Sequence, residues 1–256
     1  MTEADGFEAI IAADTLDTFF EHADALVDEC KLRLESDALR TTFVEPANVA
    51  MGDLELDIDA FETYHTEGGV IGVVIEAIRD VLSLVDGDTL VQLWLDAETR
   101  RLELEADGLE YTLALIDPDS IRQEPDLPEL ELAGRVVLEG RDLNQALTAA
   151  DLCSDHVSIT GQADADVDRE AVVIGADGDT DAVKWTFDSK AALDLVVEEP
   201  CRSLFSLDYL NAVESPLPAS AEVAIRFGDE MPMRLAYSAA QGHCHVDYLV
   251  APRIQS

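Results

Sequence analysis

Apolar and polar residues alternate along much of the first half of the chain, a pattern typical of strands with one buried face. The alternation covers Phe7–Ala13, Cys30–Ser36, Val49–Asp57, Leu90–Leu95, Leu102–Ala106 and Tyr111–Ile116. Two windows show the helical period instead, Thr15–Val27 and Ile75–Val85. A threonine hydroxyl can accept a hydrogen bond from the first turn of a helix, so Thr15 is the predicted N-cap of the first helix.

The second half repeats this order and predicts a duplicated domain. Its predicted elements are a strand at Gly134–Glu139, a helix at Asp142–Leu152, strands at His156–Thr160, Ala171–Ala176 and Ala182–Phe187, a strand and helix across Ser203–Ser215, and strands at Glu222–Phe227, Met233–Tyr237 and His245–Val250. Each half therefore contains strand, helix, several strands, helix and three strands. This order predicts an α+β fold of two similar domains, with antiparallel sheets and four helices on one face.

A proline-rich acidic stretch without regular period separates the two halves. It contains Pro118, Pro125 and Pro128 and predicts an extended, rather stiff connector. The predicted organisation is an N-terminal domain at residues 1–117, a connector at residues 118–133 and a C-terminal domain at residues 134–256.

The charge of the chain is strongly acidic, with 55 Asp and Glu against 16 Lys and Arg and a formal net charge of −39. The hydrophobic content of 48% argues against disorder. Like charges repel in dilute buffer, whereas at 1 M salt the screening length falls to about 3 Å. We interpret the charge as adaptation to high salt. An acidic protein that mimics nucleic acid or binds basic partners remains the alternative.

No apolar run is long enough to span a membrane, and the four cysteines form no C-x-x-C pair. Free thiols in the cytoplasm are the expectation. His243 and His245 could share one face of a strand, but no further ligand is placed beside them. Catalytic motifs are absent, so we predict no catalytic residue, no metal and no cofactor. A hydrolase with paired carboxylates is the less favoured alternative.

Four segments carry a resemblance to a known family. They are Val44–Met51 followed by Leu54–Leu56, Ser206–Leu210, Asp229–Met233 and Tyr248–Ile254. In this order, on a duplicated chain with a proline-rich connector, they resemble DNA sliding clamps of the proliferating cell nuclear antigen (PCNA) type, particularly those of halophilic archaea. The resemblance implies a trimeric ring with twelve inward-facing helices and a continuous outer sheet.

The function implied by the resemblance is that of a DNA polymerase processivity factor and not of an enzyme. Such a ring encircles double-stranded DNA without sequence specificity and tethers replication and repair enzymes. The implied partners are DNA polymerase, flap endonuclease, DNA ligase and a clamp loader, each bound through a short peptide motif. A subunit of a hetero-oligomeric or checkpoint-type clamp is the alternative to a homotrimer.

The resemblance also implies site residues. The partner-peptide groove would include Val44 at its side, Leu127 from the connector, and a floor of Pro232, Leu249, Ala251 and Pro252. An aromatic residue is frequent in the family where this chain has Leu249, which here follows Tyr248.

Subunit contact would pair Tyr111–Ile116 with Ala182–Phe187 of the next subunit. In the DNA channel the predicted basic residues are Arg79 and Arg141, which the acidic residues of the helices outnumber. We therefore hypothesise that hydrated cations lie between protein and phosphate.

Overall fold

The computed structural model describes residue 4, residues 6–124, residue 128, residues 130–164 and residues 169–253. The chain divides into two compact units. The first comprises Met1–Pro46, Gly52–Pro125 and Ala239–Val246, and the second comprises Ala47–Met51, Asp126–Ser238 and Asp247–Ser256. The three continuous segments expected from the sequence, 1–117, 118–133 and 134–256, stay a prediction.

The described part of the first half runs as strand, helix, five strands, helix and three strands. These elements are β1 (Phe7–Ala12), α1 (Ala13–Asp24), β2 (Glu29–Leu34), β3 (Ala38–Val44), β4 (Ala50–Asp57), β5 (Phe61–Thr66), β6 (Val70–Val74), α2 (Ile75–Leu82), β7 (Leu90–Asp96), β8 (Arg101–Ala106) and β9 (Leu109–Ala114).

The second half has the same succession of elements. They are β10 (Gly134–Glu139), α3 (Gly140–Asp151), β11 (His156–Asp164), β12 (Arg169–Asp177), β13 (Ala182–Asp188), β14 (Asp194–Val197), β15 (Cys201–Ser206), α4 (Leu207–Glu214), β16 (Glu222–Phe227), β17 (Met233–Ala239) and β18 (Cys244–Val250).

Sheet order repeats together with element order. Strands of the first half lie in the orders β5-β1-β7-β8-β9 and β4-β3-β2-β6. Strands of the second half lie in the orders β14-β10-β16-β17-β18 and β13-β12-β11-β15. Adding nine to each strand number of the first half gives the orders of the second half. The pairing is antiparallel, and the predicted duplicated α+β fold is confirmed.

The α-helices in the described part of the chain begin without side-chain caps, and the prediction of Thr15 as an N-cap is wrong. Helix α1 starts at Ala13, and the amides of Ala13 and Asp14 donate to the carbonyls of Thr89 and Gly87, both at 2.9 Å. Because the strand runs directly into the helix, carbonyl groups of a nearby loop satisfy the first helical amides.

The first amides of α3, in the second half of the chain, are satisfied in the same way. The amides of Gly140 and Arg141 donate to the carbonyls of Ala221 and Ala219, at 2.8 and 2.9 Å. A Cβ at Gly140 would lie only 2.3 Å from the carbonyl oxygen of Pro218, which explains the glycine at this helix start. The predicted helix at Asp142–Leu152 therefore begins two residues too late.

Helix α1 buries the apolar stripe that its period predicts. Leu16, Phe19 and Ala23 are each at most 1% exposed. Phe20 is also buried, and its ring meets that of Phe19 edge to face with 5.4 Å between centroids. Burial of such side chains, at roughly 1.5–3 kcal/mol for each large one, stabilises the helix far more than propensity does.

Gly72 allows the beginning of the connector to lie against β6. A Cβ at Gly72 would lie 2.6 Å from the carbonyl oxygen of Ile116, whose amide donates to the carbonyl of Gly72 at 3.0 Å. Ile121 is buried against the same glycine. The strand predicted at Tyr111–Ile116 consequently ends at Ala114, where the chain leaves β8 and turns toward β6.

None of the helices in the described residues is long and apolar enough to cross a membrane.

We predict that one of the four thiols alkylates much faster than the others. Burial raises the pKa of Cys30 and of Cys244 to about 12 and also raises the pKa of Cys201, whereas Cys153 is partly exposed. Because the thiolate is the nucleophile, iodoacetamide at pH 8 should modify Cys153 on the order of 100-fold faster, as measured by mass spectrometry of peptides. All four should react in the unfolded chain. Equal rates in the folded protein would contradict the burial.

Candidate functional site

Val44, the first predicted groove residue, lines a cavity in the first compact unit. The cavity has a volume of about 280 Å³ and opens between the end of α1, strands β2 and β3, and the beginning of the connector. Val44 is half-buried and lines it together with Ile121 and Arg122. The Arg122 Nη1 donates to the carbonyl of Glu45 at 3.2 Å, which ties the connector to the end of β3.

Leu127, the predicted apolar contact of the connector, lies outside the described residues. Its role stays a prediction. The part of the connector that is described begins with a short 3-10 turn at Pro118–Ser120, capped by the Asp117 carboxylate, which accepts from the amide of Asp119 at 2.9 Å.

The predicted residues Leu249, Ala251 and Pro252 lie together at the end of β18 in the second unit. The Ala251 amide donates to the carbonyl of Val49 at 2.7 Å, and the Arg253 amide donates to the carbonyl of Leu204 at 2.7 Å. Pro252, which has no amide hydrogen, stands between these two donors. The segment is therefore held in an extended conformation on both sides of the proline.

Leu249 and Tyr248 lie on opposite sides of β18, because successive side chains of a strand alternate. Tyr248 is completely buried, and its ring lies 6.4 Å from that of Tyr237 in the core. Leu249 is 8% exposed. Tyr248 is therefore a core residue and does not replace the aromatic side chain that the family often has at the position of Leu249.

Pro232 is positioned by a buried hydroxyl. The Ser203 Oγ accepts from the Met231 amide at 2.9 Å and lies 2.9 and 3.0 Å from the carbonyl oxygens of Gly228 and Met231. Ser203 is 2% exposed, so this small network fixes the loop that ends at Pro232. Sequence reasoning missed Ser203, since a serine in an alternating strand carries no distinct signal.

Arg79, a predicted channel residue, is held by carboxylates of the neighbouring helix α1. Its Nε donates to Asp17 at 2.9 Å and its Nη1 donates to Asp24 at 2.7 Å, while Nη2 lies 3.8 Å from Glu21. The hydrogen bond to Asp17 and the surrounding carboxylates raise the pKa of Arg79. Its charge is permanent and already compensated inside the protein.

Arg141, the second predicted channel residue, is exposed at the start of α3 and forms an ion pair with Glu139. The helices α1 to α4 contain ten acidic residues and only these two arginines. The acidic residues are Asp14, Asp17, Glu21, Asp24, Glu76, Asp80, Asp142, Asp151, Asp208 and Glu214.

Two buried titratable groups on the helices have shifted pKa values. Burial lowers the pKa of His22, whose Nδ1 lies 2.6 Å from the carbonyl oxygen of Thr18 and therefore carries the proton that it donates. Burial raises the pKa of Glu214, and the opposing hydrogen bond from the Asn144 amide, at 3.1 Å, favours its carboxylate. His22 is neutral near pH 7 and adds no positive charge to the helices.

A group of three or more His, Cys, Asp or Glu side chains that could hold a metal ion is absent from the part of the chain that the structure describes.

Curated relatives match almost the full length of the chain. A DNA polymerase sliding clamp of Natronomonas pharaonis is 50% identical over 250 residues, covering 98% of this chain and 99% of the relative. The corresponding protein of Haloarcula marismortui is 48% identical with the same coverage. The chain belongs to the DNA polymerase sliding clamp family. No protein-family model matches the sequence.

Solved clamp structures agree with this assignment. The PCNA of A. fulgidus, solved with the C-terminal region of FEN-1 bound, is 32% identical and superposes with a TM-score of 0.90 over 98% of this chain and 99% of that one. The PCNA of Thermococcus kodakaraensis, at 24% identity, shares the fold with a TM-score of 0.85 over 96% of this chain and 100% of that one.

The acidic helices of this chain bear on how a sliding clamp with this fold contacts DNA. Basic side chains provide nonspecific affinity for DNA by neutralising phosphates and releasing counterions. In this clamp the two arginines of the helices are engaged with carboxylates of the same chain. Direct phosphate contact by either arginine would therefore require an ion pair to break.

Proposed function

We propose that three copies of this chain close into a ring around double-stranded DNA and tether replication and repair enzymes to it. The family membership carries this proposal, together with the two-fold repeat within the chain. The ring acts by topology, because encirclement turns the encounter of enzyme and template into an effectively intramolecular event. It performs no chemistry of its own, and its hold on DNA is independent of base sequence.

The edges of the sheets support assembly from identical subunits. Strands β9 and β13 each lie at the end of a sheet order in the single chain. On β9, Tyr111 shares a face with buried Leu113 but is 39% exposed, and on β13, Trp185 shares a face with buried Phe187 but is 37% exposed. Each edge thus has an incompletely covered aromatic residue on its core side.

Pairing of β9 with β13 of the next subunit would satisfy both edges and cover both aromatic residues. Because one chain carries both complementary edges, a closed homotrimer needs no second type of subunit. This favours the homotrimer over a hetero-oligomeric clamp.

DNA retention in this proposal depends on closure and on cations rather than on direct basic contacts. At molar salt the gain from counterion release is small. Carboxylates of α1 to α4 would hold hydrated cations, which lie between the helices and the phosphates. The ring would then slide with little friction and remain bound as long as it is closed.

Retention on DNA of different topology tests this proposal. Clamps are loaded with a clamp loader and ATP on nicked circular plasmid and on the same plasmid linearised beforehand, and both are separated from free protein in 2 M KCl. We expect a lifetime on circles on the order of 100-fold longer than on linear DNA. Equal lifetimes with a steep salt dependence would contradict encirclement and indicate direct attraction.

Partner peptides, we further propose, dock beside Val44 and on the segment of Pro232, Leu249, Ala251 and Pro252, with Leu127 as a contact from the connector. Small, apolar and proline positions suit hydrophobic anchors, which commonly dominate binding energy. DNA polymerase, flap endonuclease, DNA ligase and the clamp loader are the proposed partners. The FEN-1 region bound to the A. fulgidus relative supports this class of partner.

A further inference from the structure

The 280 Å³ cavity beside Val44 contains a lysine in an unusual environment. Lys31 is one of three lysines in the chain and is only 4% exposed. Its burial has a clear origin: it lies opposite Gly72 in the pairing of β2 with β6, and the connector residue Ile121 packs over that glycine. The connector therefore covers a charged side chain on the outer side of β2.

In the part of the chain that the structure describes, Lys31 lacks a partner of opposite charge. Among the described residues, no carboxylate lies within 4.0 Å of its ammonium group and no acceptor is hydrogen-bonded to it. Asp28 and Glu29 line the same cavity beyond that distance. The Lys31 ammonium nitrogen is not among the fully enclosed polar atoms of the described residues, so it keeps contact with the solvent space of the cavity, where an anionic partner can reach it.

Arg33 is a second cationic side chain on the same face of β2, and it has a carboxylate partner. It lies two residues further along β2, and therefore on the same side of the strand as Lys31. Arg33 forms an ion pair with Glu124 of the connector and also donates to the Thr42 hydroxyl at 3.3 Å. The Glu124 side chain is 9% exposed and the Arg33 side chain is 31% exposed, so the carboxylate of this pair is shielded from water while the guanidinium is partly exposed.

The cavity leaves room for a corresponding partner of Lys31. Its volume far exceeds the roughly 10–15 Å³ that one water molecule needs, and approaches the size of a small ligand pocket. Its wall combines Lys31 and Thr42 with apolar residues such as Val27 and Ile121. A carboxylate on an apolar stem fits this combination better than a neutral or cationic group does.

We propose that Lys31 accepts a glutamate or aspartate side chain of the docked partner peptide, as Arg33 accepts Glu124 of the connector. This inference rests on the proposed docking function and adds a requirement for an acidic residue near the apolar anchors. The net charge of the chain also supports this proposal. On a chain with net charge −39, a lysine under the connector is one of few positive charges that can attract an acidic peptide.

Peptide binding to charge variants tests the proposal. The probe is the C-terminal FEN-1 peptide that binds the A. fulgidus relative, synthesised with one glutamate or one glutamine at each of four positions after its apolar anchors. In 2 M KCl, where long-range attraction is screened, the best glutamate peptide should bind about tenfold tighter than its glutamine twin.

Lys31→Met removes the charge and keeps the length of the side chain, so the preference for glutamate should disappear. Lys31→Arg should keep most of it. The matched control Lys190→Met, at an exposed position in the turn after β13, should leave the preference intact. Because Met suits a buried site, Lys31→Met should also unfold at a temperature no lower than that of the parent.

A carbodiimide, which joins an amine and a carboxylate in direct contact, gives a second readout. It should couple the peptide glutamate to Lys31 and to neither Lys184 nor Lys190, as seen by mass spectrometry. A glutamate preference that survives in Lys31→Met, or equal binding of both peptides at all four positions, would overturn the proposal and leave docking itself intact. Failure of both peptides to bind would overturn the docking function and this inference together.

Discussion

Replacement of Trp185 by alanine should dissociate the clamp into single chains. Trp185 lies on the edge strand β13, on the same side as buried Phe187, and is 37% exposed in the single chain. A tryptophan at the centre of an interface commonly contributes 2 kcal/mol or more, and a loss of about 2 kcal/mol weakens an interface roughly 30-fold. Light scattering after size exclusion in 2 M KCl should give three chains for the parent and one for the variant.

The control for this prediction is Trp94→Ala. Trp94 is 59% exposed on β7, an inner strand of its sheet order, so its removal should leave the mass of three chains unchanged. Tyr111→Ala, on the opposite edge strand β9, should reproduce the loss. A trimer that persists in both edge variants, or dissociates equally in the Trp94 variant, would contradict pairing of β9 with β13.

Strand alternation predicted the fold well where only one face of a strand is buried. Residues of β7 and β8 alternate between exposed and buried along their length, and the sequence indicates both strands within one residue. The strands β3 and β6 were missed because they have nearly continuous burial: Val70–Val74 is almost entirely apolar and shows no period. Such segments are recognised as strands only from their neighbours in the sheet.

The candidate site residues could not be identified from strand alternation. Val44 and the residues around Pro252 were identified only through the family resemblance, since no chemical motif marks a groove of apolar residues. The burial of Lys31 could not be predicted from the local sequence. The alternation of β2 places Lys31 on the face away from the core, where an exposed lysine is common. Ile121, which buries it, lies about ninety residues further along the chain, and only the fold brings them together.

The ion pairs of Arg79 connect salt adaptation with function. Partly exposed ion pairs contribute little to stability, about 0–1 kcal/mol each, and less when salt screens them. Three carboxylates around one arginine therefore have a larger effect on the charge of the helical surface than on the fold. They give a surface that attracts cations instead of phosphates.

Release of Arg79 should consequently increase the affinity of the clamp for DNA. The double variant Asp17→Asn with Asp24→Asn removes the two carboxylates that hydrogen-bond the guanidinium at 2.9 and 2.7 Å. The freed arginine can then approach a phosphate, so the slope of log affinity against log salt should steepen by about 0.9 for each new contact. Equilibrium binding of a short linear duplex between 0.2 and 1 M KCl measures this slope. Over this range the electrostatic screening length falls from about 7 to about 3 Å.

Two further variants separate the release of Arg79 from a simple change of net charge. Glu103→Gln with Glu105→Gln makes the same change of two charges on β8, away from the helices, and should leave the slope unchanged. Adding Arg79→Ala to the Asp17 and Asp24 double variant should abolish the gain, because the gain depends on that guanidinium. If the triple variant still binds as tightly as the double variant, the carboxylates act on DNA by general repulsion, and masking of Arg79 has no part in how this clamp holds DNA.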